Sequence, residues 1–244
     1  MQAGALVNGQ VALLLRACEH ALPQTYARVN VQRLWSLFEE ELFPARVPER
    51  QFNPYAERHA ELDCPNAPAL RRANLRSYLD AYAGKPPPLL LVAEAPGPWG
   101  CRFSGVPLTS EAQLASAPFP LDGRPTSSTP NGPYREQSAT IFWRVMRPDF
   151  PQFFVWNSVP LHPHEANEPL SIRNPTRAEV RAWGSFLGKM RALLSPERTV
   201  AVGRKAERAL GEIGAACTYV RHPSQGGARK FEDGMRAILG EMGL

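Results

Sequence analysis

The stretch Leu89–Glu111, LLLVAEAPGPWGCRFSGVPLTSE, decides the fold class. It opens with five apolar residues, Leu89 to Ala93, as expected of a strand buried on both faces. It breaks at Glu94-Ala95-Pro96-Gly97 and continues through a glycine-punctuated loop. Two later segments repeat that form. Phe153–Trp156 leads into Asn157-Ser158-Val159-Pro160-Leu161, and the short run Thr218–Val220 leads into Arg221-His222-Pro223-Ser224. Thr199–Val202 is a further apolar run. Helices are predicted between these runs, over Ser138–Met146, Thr176–Leu194 and Lys205–Ile213, with a closing helix over Phe231–Met242. Strands alternating with helices imply an α/β fold, a three-layer sandwich with a central four-stranded parallel sheet flanked by helices. Ligands of such sheets bind beyond the carboxyl ends of the strands, where the polar turns would meet.

Upstream, residues 10–83 read as mostly helical. Leu34, Trp35, Leu37, Phe38, Leu42 and Phe43 recur at helical spacing, as do Leu70, Leu75, Tyr78, Leu79 and Tyr82 around Arg71, Arg72 and Arg76. Their apolar faces need a neighbour, so residues 1–85 are expected as a helical N-terminal extension covering an α/β core of 86–244, within a single domain. Ser116–Pro133, dense in turn formers, reads equally as a functional loop or a surface insertion.

Hydrophobic residues make up 43% of the 244 and charged ones 21%, enough for a packed core. The 25 prolines follow no repeat and suggest rigid, ordered loops. A net charge of +5 favours a partner carrying phosphates. The four cysteines form no CxxC pair, so no zinc ribbon or iron–sulfur set is written locally, and a reducing, cytoplasmic location is expected. No window approaches the roughly 20 apolar residues that span a bilayer, so no membrane partner is expected. Neither GxGxxG nor GxxxxGK[ST] occurs, which discards dinucleotide and nucleoside triphosphate readings. His162 and His164 would share a strand face, but no third ligand accompanies them and no metal is expected.

The remaining candidates sit in the three turns. Asn157 offers an amide donor and acceptor side by side, matching an imide edge such as that of uracil; cytosine would leave both unpaired. His222 is placed to donate to a developing oxyanion. Ser224 suits a phosphate, and Arg221, Arg229 and Lys230 surround that turn with positive charge. Glu94 either positions a water or caps its loop.

Together the turns resemble the motifs of the uracil-DNA glycosylase superfamily. Ala95-Pro96-Gly97-Pro98-Trp99-Gly100 with Ser104-Gly105-Val106-Pro107 is similar to the single-strand-selective monofunctional branch, and Glu94-Ala95-Pro96-Gly97 also to the iron–sulfur branch. Asn157–Leu161 resembles the second motif and His222-Pro223-Ser224 the last. The resemblance implies hydrolysis of the bond between uracil, or another deaminated base, and deoxyribose in DNA. It implies no cofactor, and a monomer is expected. Asn157 would read the flipped base, and Ala95, Pro96, Gly97 and Pro98 would help hold it. His222 would stabilise the departing anion, Ser224 would grip a phosphate, and Gln225 or Arg229 would fill the vacated stack. Ala95 stands where some branches carry a water-activating Asp or Asn, leaving that role to Glu94 or the backbone. Leu108 stands where the family stacks a phenylalanine on the base; Phe103 or Trp99 would substitute.

Overall fold

The computed structural model describes residues 30–116, Phe119 and 127–244. Strands β2 (Leu89–Ala93), β3 (Phe153–Asn157), β5 (Arg198–Val202) and β6 (Thr218–Val220) form one parallel sheet in the order β3-β2-β5-β6. Leu89 pairs with Phe153 and Arg198, and Val202 with Val220. The chain steps from β2 out to β3, then crosses back over β2 to β5. The strand order therefore reverses at β2, and the carboxyl ends open a crevice there.

Side chains of β3 alternate between two layers. Phe153 packs against Phe142 and Trp143 of α4 (Gln137–Met146), and Phe142 also meets Phe231 of α8 (Ala228–Met242). Trp156 faces the other way. It stacks on Phe38, 4.8 Å between centroids, and meets Phe186 of α6 (Gly184–Leu194). The three-layer sandwich expected from the sequence is present, with β2 and β3 buried along their whole length.

α1 (Ala67–Asp80) covers the outer side of β3. The Tyr82 hydroxyl donates to the Phe153 carbonyl at 2.6 Å, and the Val155 amide donates to the Tyr78 hydroxyl at 2.7 Å. Further α-helices among the described residues are α2 (Cys101–Ser104), α3 (Glu111–Leu114), α5 (Arg177–Ala182) and α7 (Arg204–Glu212).

Two expectations need correction. The N-terminal region is helical over residues 30–42 and in α1, but residues 43–66 are turns plus a two-residue strand β1 (Gln51–Phe52), antiparallel to β4 (His162–Pro163). Pro44, Pro48, Pro54 and Pro65 punctuate that stretch and prevent a continuous helix. Residues 10–29 lie outside the described residues. Second, Thr176–Leu194 is two helices, because Trp183 leaves helical geometry at ψ 0° and Gly184 restarts the chain. Among the arginines of α1, Arg71 is fully buried. It pairs with Asp63 at 2.5 Å, and Arg102 reaches the same carboxylate at 3.0 Å. Of the Ser116–Pro133 loop, residues 127–133 are fixed in part by buried Glu111, which accepts from the amides of Ser128 and Tyr134. Residues 117, 118 and 120–126 lie outside the described residues.

Candidate active site

The turns after β2, β5 and β6 wall one cavity of about 670 Å³, within the range of small-ligand sites. Glu94, Ala95, Gly97 and Pro98 come from the first turn, and Leu108 from further along it. Gly203 and Lys205 follow β5; Arg221, His222, Ser224 and Gln225 follow β6. Pro96 does not line the cavity. Its carbonyl instead accepts from His162 Nδ1 at 2.8 Å, which ties the first turn to β4. Asn157 is buried at the end of β3 and is also absent from the wall. Its Nδ2 contacts Sγ of Cys101 at 3.8 Å, and Cys101 is a wall residue. Arg229 and Lys230 begin α8 away from the wall, and the exposed Arg229 lies 3.9 Å from Asp233.

His222 is the best-defined group. The Ser224 amide donates to its Nδ1 at 3.2 Å, and the Ser224 hydroxyl lies 2.8 Å from the same nitrogen. A backbone N–H cannot accept, so Nδ1 is the acceptor and the ring proton belongs on Nε2. Burial, with Arg221 and Lys205 nearby, pushes the His222 pKa down to about 4. The residue is therefore a neutral imidazole with its single N–H on the nitrogen that makes no bond among the described residues.

Two carboxylates share the cavity. Glu94 pairs with Lys205 at 3.0 Å; burial raises its pKa and Lys205 opposes that shift. The Ser158 hydroxyl donates to the Glu94 carbonyl at 2.8 Å, joining the first and second turns. Glu136, which the sequence reading missed, caps the start of α4 and accepts from the Ser138 hydroxyl. Its Oε2 is buried without a hydrogen-bond partner among the described residues, and burial raises its pKa. A side chain at Gly97 or Gly100 would occupy the space of this carboxyl group, which accounts for both glycines. No motif marks Glu136; only its place after the Pro130–Pro133 turn hinted at a helix start.

Leu108 lines the cavity with φ 47°, a left-handed conformation uncommon for a side chain of its size. Phe103 cannot replace it: it is fully buried, under the Arg102 guanidinium at 4.2 Å from its centroid. Trp99 is on the cavity wall and 40% exposed. Around the site, Arg173 is held by Glu179 and Arg204 by Glu207, whereas Arg135 and Arg221 form no ion pair among the described residues. Both nitrogens of His162 face carbonyls, of Pro96 and Pro169, which leaves neither directed at a metal shared with His164.

The cavity combines an uncharged imidazole donor, two carboxyl groups and unpaired arginines, which suits cleavage of a bond whose leaving group becomes an anion. Comparisons agree with the motif reading. The model of the uracil DNA glycosylase superfamily matches residues 81–239, well over half of the chain. A comparison with curated proteins gave no match. Among solved structures, the crystal structure of wild-type Pedobacter heparinus SMUG2 shares the fold, with a TM-score of 0.61 and 16% identity over 87% of this chain and 98% of that one. The chain belongs to the uracil DNA glycosylase superfamily.

Proposed function

We propose that the protein is a monofunctional DNA glycosylase, acting as a monomer in base excision repair on uracil or another deaminated base. The observation that carries this reading is the tautomer of His222, fixed by Ser224 so that a neutral Nε2–H is available beside the turns of the cavity. The target base leaves the stack and enters the cavity. As the bond between the base nitrogen and C1′ breaks, its electron pair passes to the base and the sugar gains oxocarbenium character. The Nε2–H of His222 bonds the O2 that accumulates this charge. A neutral donor matches a leaving anion without placing a full cation in a buried site.

Asn157 reads the imide edge, supported from behind by Cys101. Ala95, Gly97 and Pro98 of the first turn pack along the base, with Pro96 holding the turn through His162, and Leu108 supplies an apolar wall in place of an aromatic one. Glu94, anchored by Lys205, positions the water that attacks C1′, since Ala95 has no group to do so. Ser224, Arg221 and Gln225 contact the DNA strand at the cavity mouth, and Arg229 and Lys230 attract the backbone at longer range. The second reading is a nucleic-acid-binding member with little turnover; Ala95 and Leu108 favour it.

Labelled single- and double-stranded oligonucleotides carrying uracil, hypoxanthine or xanthine, treated with alkali after incubation, decide between them. Cleavage is expected, and His222→Ala and Asn157→Ala should each reduce it about 10²-fold or more with the fold intact. Wild-type rates in both variants would reject these residue roles. Salt-sensitive binding without cleavage of any substrate would favour the second reading.

A further inference from the structure

Large apolar side chains scattered singly over a surface are ordinary. Among the described residues three are exposed, and two of them, Trp99 at 40% and Ile172 at 61%, line the same cavity. They come from different segments, the turn after β2 and the loop between β4 and α5. Leu108 on the same wall is only 7% exposed. The apolar lining therefore runs from the interior of the cavity out to its mouth.

The neighbours of both side chains are anchored. Gly97-Pro98-Trp99-Gly100 is a turn closed by the Gly100 amide, which donates to the Gly97 carbonyl at 3.4 Å, and Pro98 fixes its own φ. The Trp99 indole meets Tyr134 at 5.1 Å and 72°. Tyr134 in turn packs on Phe103 at 4.8 Å, and its amide donates to buried Glu111 at 3.2 Å. Ile172 lies between two tethered residues. The Ser171 hydroxyl donates to the Glu168 carbonyl and accepts from the Glu165 amide, both at 2.8 Å. Arg173 donates to the His164 carbonyl at 3.2 Å and pairs with Glu179.

The other aromatic ring on the wall is Tyr219, and Arg204 lies over it, 3.8 Å from the centroid. The indole is thus the aromatic surface left open to a ligand. Arg135 and Arg221, without ion-pair partners among the described residues, line the same cavity. Aromatic contact interleaved with free cations suits the bases and phosphates of a nucleic-acid strand.

We propose that Trp99 and Ile172 hold the nucleobases flanking the extruded one, Trp99 by stacking and Ile172 by apolar packing. The inference rests on the cavity receiving a base drawn from a DNA strand. Extrusion takes a stacking partner from each neighbouring base. An indole at the mouth replaces that partner, and because every base has a π-face the contact tolerates any flanking sequence.

The test measures binding by fluorescence anisotropy to single-stranded oligonucleotides carrying 2′-fluoro-deoxyuridine, which resists cleavage. The bases on either side are intact or replaced by abasic tetrahydrofuran residues, so the phosphates stay the same. Wild type is compared with Trp99→Ala, Trp99→Phe and Ile172→Ser, each checked by circular dichroism. Trp99→Ala should weaken binding to the intact strand roughly tenfold, Trp99→Phe should recover most of it, and Ile172→Ser should show a smaller loss. Removing the flanking bases should cost wild type roughly tenfold and Trp99→Ala almost nothing further. Wild-type affinity in either Trp99→Ala or Ile172→Ser would overturn the pair, as would losses that multiply when the variant meets abasic neighbours. A Trp99→Ala loss that vanished only on a strand abasic at the target position would put the indole on the extruded base and overturn the flanking contact. Wild type alone also decides: indifference to abasic neighbours would reject the contact even if a variant failed to fold. Dependence on the flanking bases without cleavage of any deaminated base would reject the glycosylase reading and keep the contact; normal cleavage without that dependence would do the reverse.

Discussion

His222 and His162 are both held neutral, the first inside the cavity and the second behind it. Burial brings each down to about 4, aided at His222 by Arg221 and Lys205 and at His162 by Arg102 and His164. An unfolded histidine titrates near 6.5, so the unfolded chain binds more protons than the folded one between those values. Stability is therefore complete above about pH 6.5 and is lost as pH falls toward about 4. Urea unfolding should show about 1–2 kcal/mol less stability per histidine at pH 5 than at pH 7. Replacing either histidine with glutamine should flatten that slope. Single-turnover cleavage should stay level from neutral pH down to about pH 5 and fall with a midpoint near 4, as His222 takes up a second proton on Nδ1 and loses its bond from Ser224. A midpoint near 6.5 would show that His222 is not shielded. The histidine and its serine were legible in the sequence as one tripeptide; the tautomer was not, because it depends on a backbone amide two residues away.

At the scale of elements, the buried charges of Asp63, Arg71 and Arg102 fasten α1 to α2. Arg71 also bonds Ser128 Oγ and the Pro54 carbonyl, which ties both flanking loops to the same point. Removing the acid should leave two buried guanidinium groups without their counter-ion. Asp63→Ala is expected to lose about 3–5 kcal/mol in denaturant unfolding, while a surface pair such as Arg76–Asp80 should contribute less than about 1 kcal/mol. This cluster was hidden in the sequence, where Arg71, Arg72 and Arg76 look alike and only the fold separates them. The strands were far more legible. β2 and β3 are apolar on both faces because both faces are covered, and β2 and β6 fall on the residues that the sequence marked. Glu136 escaped notice for the opposite reason: it is a single residue whose surroundings, including Gly97 and Gly100, the chain brings to it from elsewhere.

On the scale of the whole molecule, residues 30–82 pack directly on the sheet. Phe38 stacks on Trp156, and Tyr78 and Tyr82 bond the β3 backbone. A chain beginning at residue 81, where the family match starts, should therefore lose cooperative thermal unfolding. Scanning calorimetry on that fragment and on the full chain checks this. The two tyrosines also have a bearing on solubility. β3 is the last strand on its side of the sheet, and such a strand normally presents a row of open amides and carbonyls to any other chain. The hydroxyls of Tyr78 and Tyr82 occupy that row at Val155 and Phe153, so the sheet ends in side chains instead of a template for further strands. Tyr78→Phe with Tyr82→Phe would keep the aromatic packing but reopen the edge. The closing of this one sheet edge thus rests on two oxygen atoms.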